Sequence, residues 1–358
     1  MLPGSIVNTI TSTHCMVSFT MRGLFTAVAL LGLSILSSAF PLTKRNVIGP
    51  VMDTDFPDPS IIRVGSTWYA FGTQSIYDHT NIKVQLATSS DFNTWSLHEG
   101  HDALRTLPPW VDASNPKVWA PDVFQLDDGS FMLYFSATTN TAGNGRFHCI
   151  GAARSDRIEG PYDSVSDYPM ACPTNLGGAI DASAFRDADG QRYLLYKIDG
   201  NAIGHGGLCN NEESPQIPTP IILQPVGEDG YTFTGEATKI LNRDERDGPL
   251  VEGPSLVRLP GPVYVLHFSS QCYTSEHYSG SYATSDSILG KYEKARFPLL
   301  VSGTPRGVWG PGHADVDWDA QHMAFHAYAA KEDVGGRRKM YVANIGWEPS
   351  SRVVLLNE

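Results

Sequence analysis

Five short motifs carry residues whose types suit acid–base chemistry. They lie roughly 60 to 70 residues apart. Each centres on one polar side chain: FPDPS on Asp58, VWAPDV on Asp122, IDAS on Asp181, VEGPS on Glu252 and GPGH on His313. Carboxyl groups brought together in one concave site raise one another's pKa values. Such a set can supply one carboxylate as a base and one carboxylic acid as a proton donor, which is what hydrolysis of a glycosidic bond requires.

Each of these acids also has a purely structural interpretation. Asp58 precedes a proline, which is a common turn pair, and Asp181 could cap the start of a strand. Glu252 is harder to explain in this way, because glutamate is a poor turn former. Asp122 follows a proline and could hold the loop that carries Trp119. The repeated placement in successive units favours the functional interpretation for Asp58, Asp181 and Glu252.

The segments that follow the motifs predict the elements that position them. Each motif opens a unit of alternating, aromatic-rich segments separated by turns, and Asp128-Gly129 and Asp189-Gly190 are strong hairpin signals. Five such units predict an all-β fold, a five-bladed β-propeller. A β-sandwich would not explain five similar units, and a β-helix would need a shorter period. The first strand of each blade lines the central channel, so we expect the five motif residues to form one ring.

In these motifs the sequence resembles glycoside hydrolase family 43, the five-bladed arabinanase, α-L-arabinofuranosidase and β-xylosidase group, over about residues 50–349. The resemblance implies that Asp58 is the general base that activates water. It implies that Glu252 is the general acid, and that Asp181 orients this acid and tunes its pKa. It also implies inversion of the anomeric configuration, with a water between the two carboxyl groups.

The resemblance extends to groups around the acids. His313 matches a family histidine that in several members holds a calcium-bound water, so a structural Ca²⁺ held near His313 through water is an alternative to a hydrogen-bonded structural histidine. No cofactor is required. Arg338, or Arg337 in its place, resembles a family arginine near the floor of the site. Trp119 is expected to form a platform for a sugar ring. The substrate-binding candidates are therefore Trp119, His313, Arg338 and Asp122.

The N-terminal residues have the pattern of a targeting segment. A basic start at Met21-Arg22 precedes an apolar run over 24–36 and small residues over 37–39, and Lys44-Arg45 resembles a propeptide cleavage site. We therefore predict a signal peptide and short propeptide over 1–45, with Met16 or Met21 as alternative starts. The catalytic propeller is expected over 46–358, secreted and without a membrane span after processing.

Composition narrows the choice of partner. The chain carries 26 basic and 38 acidic side chains, a net charge of −12, and the predicted leader holds no acid, so its removal leaves a more acidic protein. This charge argues against nucleic acid as a partner. Four cysteines follow the leader. Cys209 and Cys272 follow matching strands of neighbouring units and are expected to pair, whereas Cys149 and Cys172 would form the other pair or stay free.

These observations predict a glycosidase, expected to be a monomer, that acts on a plant cell-wall polysaccharide or oligosaccharide and releases α-L-arabinose units from arabinan or arabinoxylan. A β-xylosidase or galactanase of the same family is the alternative. From other classes, a non-catalytic sugar-binding propeller and a configuration-retaining fructan hydrolase remain open. The loop over 205–220 would either block the groove, which would restrict the enzyme to chain ends, or shape an extended groove.

Overall fold

A computed structural model describes residues 47–303 and 307–357. The predicted signal peptide and propeptide, 1–45, lie outside the described residues. The described residues form a five-bladed β-propeller, which confirms the predicted fold class. The predicted hairpin turns are present, and Gly129 and Gly190 have the positive φ angles, 87° and 91°, that such turns require. None of the helices in the described parts of the chain has the length and apolar character needed to cross a membrane.

Four blades are antiparallel sheets of four consecutive strands. The first contains β2 (Ser60–Val64), β3 (Thr67–Gly72), β4 (Gln85–Ser89) and β5 (Ser96–Leu97). The second contains β6 (Trp119–Gln125), β7 (Phe131–Thr138), β8 (His148–Ser155) and β9 (Asp163–Ser164). The third contains β10 (Ala179–Arg186), β11 (Arg192–Ile198), β12 (Ile221–Val226) and β13 (Thr238–Leu241). The fourth contains β14 (Val251–Leu259), β15 (Val263–Ser270), β16 (Ser279–Ser285) and β17 (Glu293–Lys294).

The fifth blade is closed by a strand from the other end of the chain. It contains β18 (Trp309–Val316), β19 (His322–Tyr328), β20 (Lys339–Glu348) and β21 (Val353–Leu356), and β1 (Val47–Ile48) pairs with β20. The strand pair β1–β20 therefore closes the ring of blades, a connection that the sequence pattern did not predict. Short 3₁₀ helices lie in the connections, at Gly143–Gly145, Thr174–Leu176, Gly200–Ile203, Leu208–Asn210, Glu245–Asp247 and Lys331–Asp333.

The hydrophobic core lies between the blades. One apolar cluster fills each interface between neighbouring blades, as in the cluster of Phe71, Trp110 and Phe135 between the first and second blades. Burial of one such aromatic side chain stabilises the fold by roughly 1.5–3 kcal/mol. Two disulfides add cross-links. Cys209–Cys272 joins the third and fourth blades, which confirms that predicted pair, and Cys149–Cys172 is the second pair.

The inner strands share a backbone feature at the point where each enters the channel. Each blade has a residue with a left-handed φ between 43° and 59° at this point: Asp58, Ala120, Asp181, Gly253 and His313. In the fifth blade Gly310, with φ 51°, is a second such residue. Non-glycine residues rarely adopt this conformation, and such strain is concentrated at functional sites. At Gly253 a Cβ would lie 3.1 Å from the imidazole of His313, so glycine is required there.

Backbone N–H groups of these five residues are held by side chains of the preceding blade. The pairs, as donor and acceptor, are Asp58 with His326 Nδ1, Ala120 with Thr73 Oγ1, Asp181 with Ser136 Oγ, Gly253 with Asp181 Oδ2 and His313 with Ser269 Oγ. The ring thus differs from the predicted one at two places. Asp122 lies two residues after the left-handed position, and Glu252 lies one residue before it. The expectation that all five motif residues are equivalent was wrong. Four blades have a register shift at this point, and the polar motif residue lies at the left-handed position in the third and fifth blades, but after it in the second and before it in the fourth.

Candidate active site

A pocket of about 650 Å³ opens at one end of the channel and receives side chains from all five blades. This volume lies within the range of roughly 300–1,000 Å³ that is typical of small-ligand sites. Asp58, Asp181 and Glu252 line it and are at most 9% exposed. Asp58, Asp181 and His313 also line a smaller cavity deeper in the channel, so these three residues separate the pocket from the channel interior.

Asp58 lies at the centre of a network of donors. Arg338 Nη1 donates to Oδ1 at 2.9 Å, and Thr73 donates to Oδ2 at 2.6 Å. Nδ1 of His326 and Nδ1 of His313 lie 3.1 and 3.4 Å from Oδ1. Burial alone would raise the pKa of Asp58, but the Arg338 guanidinium, and next His313, outweigh it and hold this pKa well below its usual range. Nδ1 of His326 accepts the hydrogen bond from the N–H of Asp58. Asp58 is therefore ionised, as a base must be.

Glu252 is held by one donor on each carboxyl oxygen. Tyr278 donates from its hydroxyl to Oε1 at 2.8 Å, and Lys197 donates from Nζ to Oε2 at 3.1 Å. The same Nζ lies 3.1 Å from Oδ1 of Asp199, and Lys197 is fully buried. A buried ammonium requires compensating carboxylates. Lys197 therefore links Glu252 to Asp199 and fixes the position of the Glu252 carboxyl group.

Asp181 contacts the backbone next to Glu252. Its Oδ2 accepts a hydrogen bond at 3.0 Å from the N–H of Gly253, the residue that follows Glu252. Burial is the main reason that the pKa of Asp181 rises to about 6. The negative charge of Glu252 adds to the rise, while His313 and Lys197 oppose it. The site thus contains two carboxyl groups whose pKa values are shifted in opposite directions, Asp58 downwards and Asp181 upwards.

The predicted neighbours of the acids are present in the pocket. Arg338 is bound to Asp58 and lies with its guanidinium 4.8 Å from the centre of the Tyr273 ring. Its neighbour Arg337, the alternative candidate, instead forms an exposed ion pair with Asp78. Trp119 lines the pocket and stacks on His148 with ring centres 3.8 Å apart. Such a supported indole is a suitable surface for a sugar ring.

Asp122 is the predicted site residue that the structure places elsewhere. It lines the deeper cavity and not the pocket, and its Oδ2 accepts a hydrogen bond from the N–H of Ala184 in the third blade. Burial, and next the charge of Asp315, raise the pKa of Asp122 well above its usual value. Its contacts tie the second blade to the third inside the channel. The expectation that it shares a ring with the other acids is corrected by its two-residue offset.

Sequence reasoning missed Thr73, Tyr278 and His326 as partners of the acids. Thr73 and His326 occupy the same place in the second strands of their blades, where the others have Ser136, Lys197 and Ser269. Alignment of the five second strands would have revealed this position. It would also have marked Lys197 as the member that differs from the four hydroxyl and imidazole residues. Tyr278 follows a long connection and has no such signal.

The residues near His313 do not fit a calcium ion bound directly by the protein. No three His, Cys, Asp or Glu residues form a metal-binding group anywhere in residues 47–303 and 307–357. Calcium prefers six to eight oxygen ligands, but the oxygens of Asp58 already accept hydrogen bonds, as do both oxygens of Asp315. A Ca²⁺ near His313 would be held through water, and it stays a prediction.

Comparison with known proteins agrees with this geometry. Residues 48–351 match the sequence profile of Glycosyl hydrolases family 43. An extracellular endo-α-(1→5)-L-arabinanase from Thermotoga petrophila is 31% identical over 56% of this chain, and the match spans 44% of that enzyme. A β-D-galactofuranosidase from Aspergillus niger is 24% identical over 91% of this chain and 93% of its own length.

Solved structures show the same fold. A thermostable family-43 glycoside hydrolase has a TM-score of 0.69 at 22% identity, covering 88% of this chain and 96% of its own. An arabinanase from Bacillus subtilis has a TM-score of 0.62 at 22% identity, covering 87% and 99%.

Proposed function

The chain belongs to glycosyl hydrolase family 43, and from that premise we propose that it is an inverting exported glycosidase that hydrolyses the α-L-arabinofuranosyl linkages of arabinan or arabinoxylan and releases L-arabinose. Two matched arabinanases, from Thermotoga petrophila and Bacillus subtilis, support this substrate class. The same two relatives are extracellular, and two disulfides are typical of proteins that fold in an oxidising compartment. Both observations support export.

The observation that carries the mechanism is that the carboxyl groups of Asp58 and Glu252 line one pocket from two blades that are not neighbours. Arg338 keeps Asp58 ionised, as the base of such a pair must be, and membership of the family supports Glu252 as the acid. Asp58 therefore removes a proton from water, and the resulting nucleophile attacks the anomeric carbon. Glu252 protonates the departing oxygen, held in place by Tyr278 and Lys197.

Asp181 and Arg338 act through these two residues. Asp181 fixes the backbone beside Glu252, because its Oδ2 accepts a hydrogen bond from the N–H of Gly253. Arg338 favours the ionised base and orients its carboxylate. Asp58 and Glu252 reach the pocket from the first and fourth blades, which are not neighbours. This placement favours the wide carboxyl separation, roughly 6.5–9.5 Å, that inversion with an intervening water requires.

A second substrate is favoured by the end-to-end match to the β-D-galactofuranosidase. A β-D-galactofuranosyl residue has the same ring configuration as an α-L-arabinofuranosyl residue and differs in a longer exocyclic arm. A site that recognises the furanose ring could therefore accept both sugars. β-D-Xylopyranosides, the substrates implied by a β-xylosidase, have a six-membered ring and are the third candidate.

The test is a panel of 4-nitrophenyl α-L-arabinofuranoside, β-D-galactofuranoside and β-D-xylopyranoside, with debranched arabinan and arabinoxylan. We expect the arabinofuranoside to have the highest kcat/KM among the aryl substrates, and free arabinose to appear from the polysaccharides. Fastest hydrolysis of the galactofuranoside would shift the assignment to that sugar. Binding without release of sugar from any substrate would indicate a non-catalytic sugar-binding propeller and refute the proposal.

Glu252→Gln tests the general acid within the same panel. Because Gln cannot donate the required proton, we expect a loss of roughly 10²–10⁴-fold in kcat on arabinan. The loss should be much smaller on a 2,4-dinitrophenyl glycoside, whose leaving group needs no protonation. The matched control is Glu236→Gln, a change at an exposed glutamate, which should leave both rates unchanged. Equal losses on both substrates would contradict the role of Glu252.

A further inference from the structure

The pocket is bordered by the connection between the second and third strands of each blade. Lys117 and Trp119, at the start of the second blade, also line it, and Val118 between them is buried. We propose that the wall formed by these segments is closed on all sides, so that the enzyme accepts one terminal sugar residue and cannot cleave inside a chain. This inference rests on the proposed function and deepens it. It follows from bridges across every gap between neighbouring blades in the described residues.

Two bridges join the first blade to its neighbours. On one side, the N–H of Gln74 donates to the carbonyl oxygen of Val118 at 2.9 Å, and the N–H of Val118 donates to Oε1 of Gln74 at 3.2 Å. On the other side, the hydroxyl of Tyr77 donates to the carbonyl oxygen of Gly335 at 3.2 Å, next to the ion pair of Asp78 with Arg337. Gln74, Tyr77 and Gly335 line the pocket.

The third blade is bridged on both sides by stronger connections. Arg146 of the second blade donates from Nε to the carbonyl oxygen of Ala202 at 2.9 Å. The disulfide Cys209–Cys272 then ties the same connection of the third blade to the fourth. Arg146, Ala202 and Cys209 all line the pocket. The part of this connection between Ala202 and Cys209 is therefore held at two points, and both residues line the pocket.

The last gap lies between the fourth and fifth blades. Tyr328 donates from its hydroxyl to the carbonyl oxygen of Tyr273 at 2.9 Å, and Lys331 pairs with Glu276 at 2.6 Å. With this bridge all five gaps are crossed. A polysaccharide that is cleaved internally must enter a groove on one side and leave on the other. A pocket with bridges all round has a single opening, which a chain end or a one-residue branch can enter.

Exposed apolar side chains mark the edge of that opening. Ile76 is 76% exposed, and Tyr77 and Tyr273 are each 40% exposed, although all three line the pocket. Tyrosine rings at the edge of the opening suit the sugar residue on the other side of the scissile bond, because that residue lies outside the pocket. The arrangement assigns one sugar to the pocket and the next to its edge.

The experiment uses two forms of (1→5)-α-L-arabinohexaose labelled at the reducing end. In one form the O5 of the non-reducing terminal residue is free, and in the other form this O5 carries a bulky ether. We expect the free form to lose one residue at a time, with arabinose present from the first time point and the labelled pentasaccharide as the first labelled product. The blocked form should be hydrolysed at least 100-fold more slowly.

A variant tests whether the bridges close the wall. Arg146→Ala removes the side chain that joins the second and third blades, and we expect it to raise the rate on the blocked form relative to the free form. The matched control is Arg154→Ala, because Arg154 is an exposed arginine of the second blade that pairs with Asp128 outside the pocket. For Arg154→Ala, the ratio of the rate on the blocked form to the rate on the free form should equal that of the unaltered enzyme.

Two results would overturn the inference while leaving the proposed function intact. They are early appearance of labelled products of intermediate length from the free form, and equal rates on the free and blocked forms. An unchanged ratio in Arg146→Ala would overturn the claim that the bridges close the wall. Absence of hydrolysis across the whole glycoside panel would instead refute the proposed function, and the inference with it.

Discussion

Replacement of Asp181 by asparagine should stabilise the protein at neutral pH while it impairs catalysis. The side chain is 5% exposed, and its pKa rises from 3.8 to about 6, mainly because of burial. A carboxyl group whose pKa is raised by folding favours the folded state fully only while it is protonated. Because Asp181 ionises more readily in the unfolded chain than in the folded protein, the folded protein loses stability as the pH rises from about 4 through 6. Asparagine cannot ionise, and its Oδ1 can still accept the hydrogen bond from Gly253.

The magnitude follows from the pKa of Asp181 in the two states. A rise from 3.8 to about 6 corresponds to a destabilisation of up to about 3 kcal/mol once the group is ionised in both the folded and the unfolded protein. We therefore expect Asp181→Asn and the unaltered protein to have similar free energies of unfolding near pH 3.5. Between pH 4 and 6 the variant should become progressively more stable, and above pH 6.5 the difference should be constant.

Urea unfolding followed by tryptophan fluorescence at pH 3.5, 5, 6 and 7.5 measures this difference. Asp163→Asn is the matched control, because Asp163 is an exposed aspartate of β9, and its difference should not change with pH. A constant difference for Asp181→Asn across the pH range would refute the reasoning, as would a variant that is less stable at pH 7.5. Activity of the same preparation should fall, because the charge beside Glu252 is lost.

Two further substitutions test the base and the lysine. Asp58→Asn should lose roughly 10²–10⁴-fold in kcat on every substrate, including 2,4-dinitrophenyl glycosides, because water is no longer deprotonated; retention of activity on the activated substrate would contradict this role. Lys197→Met should lower kcat on arabinan more than it raises KM, because the Glu252 carboxyl group loses one of the two donors that position it. The exposed control Lys239→Met should leave both constants unchanged, and an unchanged kcat in a folded Lys197→Met variant would show that Lys197 only supports the fold.

Much of the fold could be predicted because its signals are local. The Asp-Gly turns at 128–129 and 189–190 and the repeated alternation of apolar residues each report on adjacent residues, and five repeats imply five blades. The pair Cys209–Cys272 was predictable for a related reason, since equivalent connections of neighbouring blades lie side by side. The closure of the fifth blade by Val47–Ile48 was not, because a two-residue strand has no sequence period of its own.

The site was predictable in its acids but not in their relative positions. The motifs around Asp58, Asp181 and Glu252 identified the residues, but the left-handed position in the fourth blade is Gly253 and in the second Ala120. A sequence pattern that follows acidic residues cannot detect which residue of a motif takes the left-handed conformation, because that depends on the backbone of the assembled strand. The donors to the acids, such as Tyr278, come from distant segments and require the assembled ring of blades.

The central claim is that Asp58 and Glu252 catalyse a single displacement by water. ¹H NMR of the first turnovers on an α-L-arabinofuranoside, recorded before the released sugar equilibrates, tests it most directly. The account predicts that β-L-arabinofuranose appears first and that the α anomer accumulates only through mutarotation. Initial release of α-L-arabinofuranose would require a covalent intermediate and two displacements, and it would contradict the roles assigned to both residues.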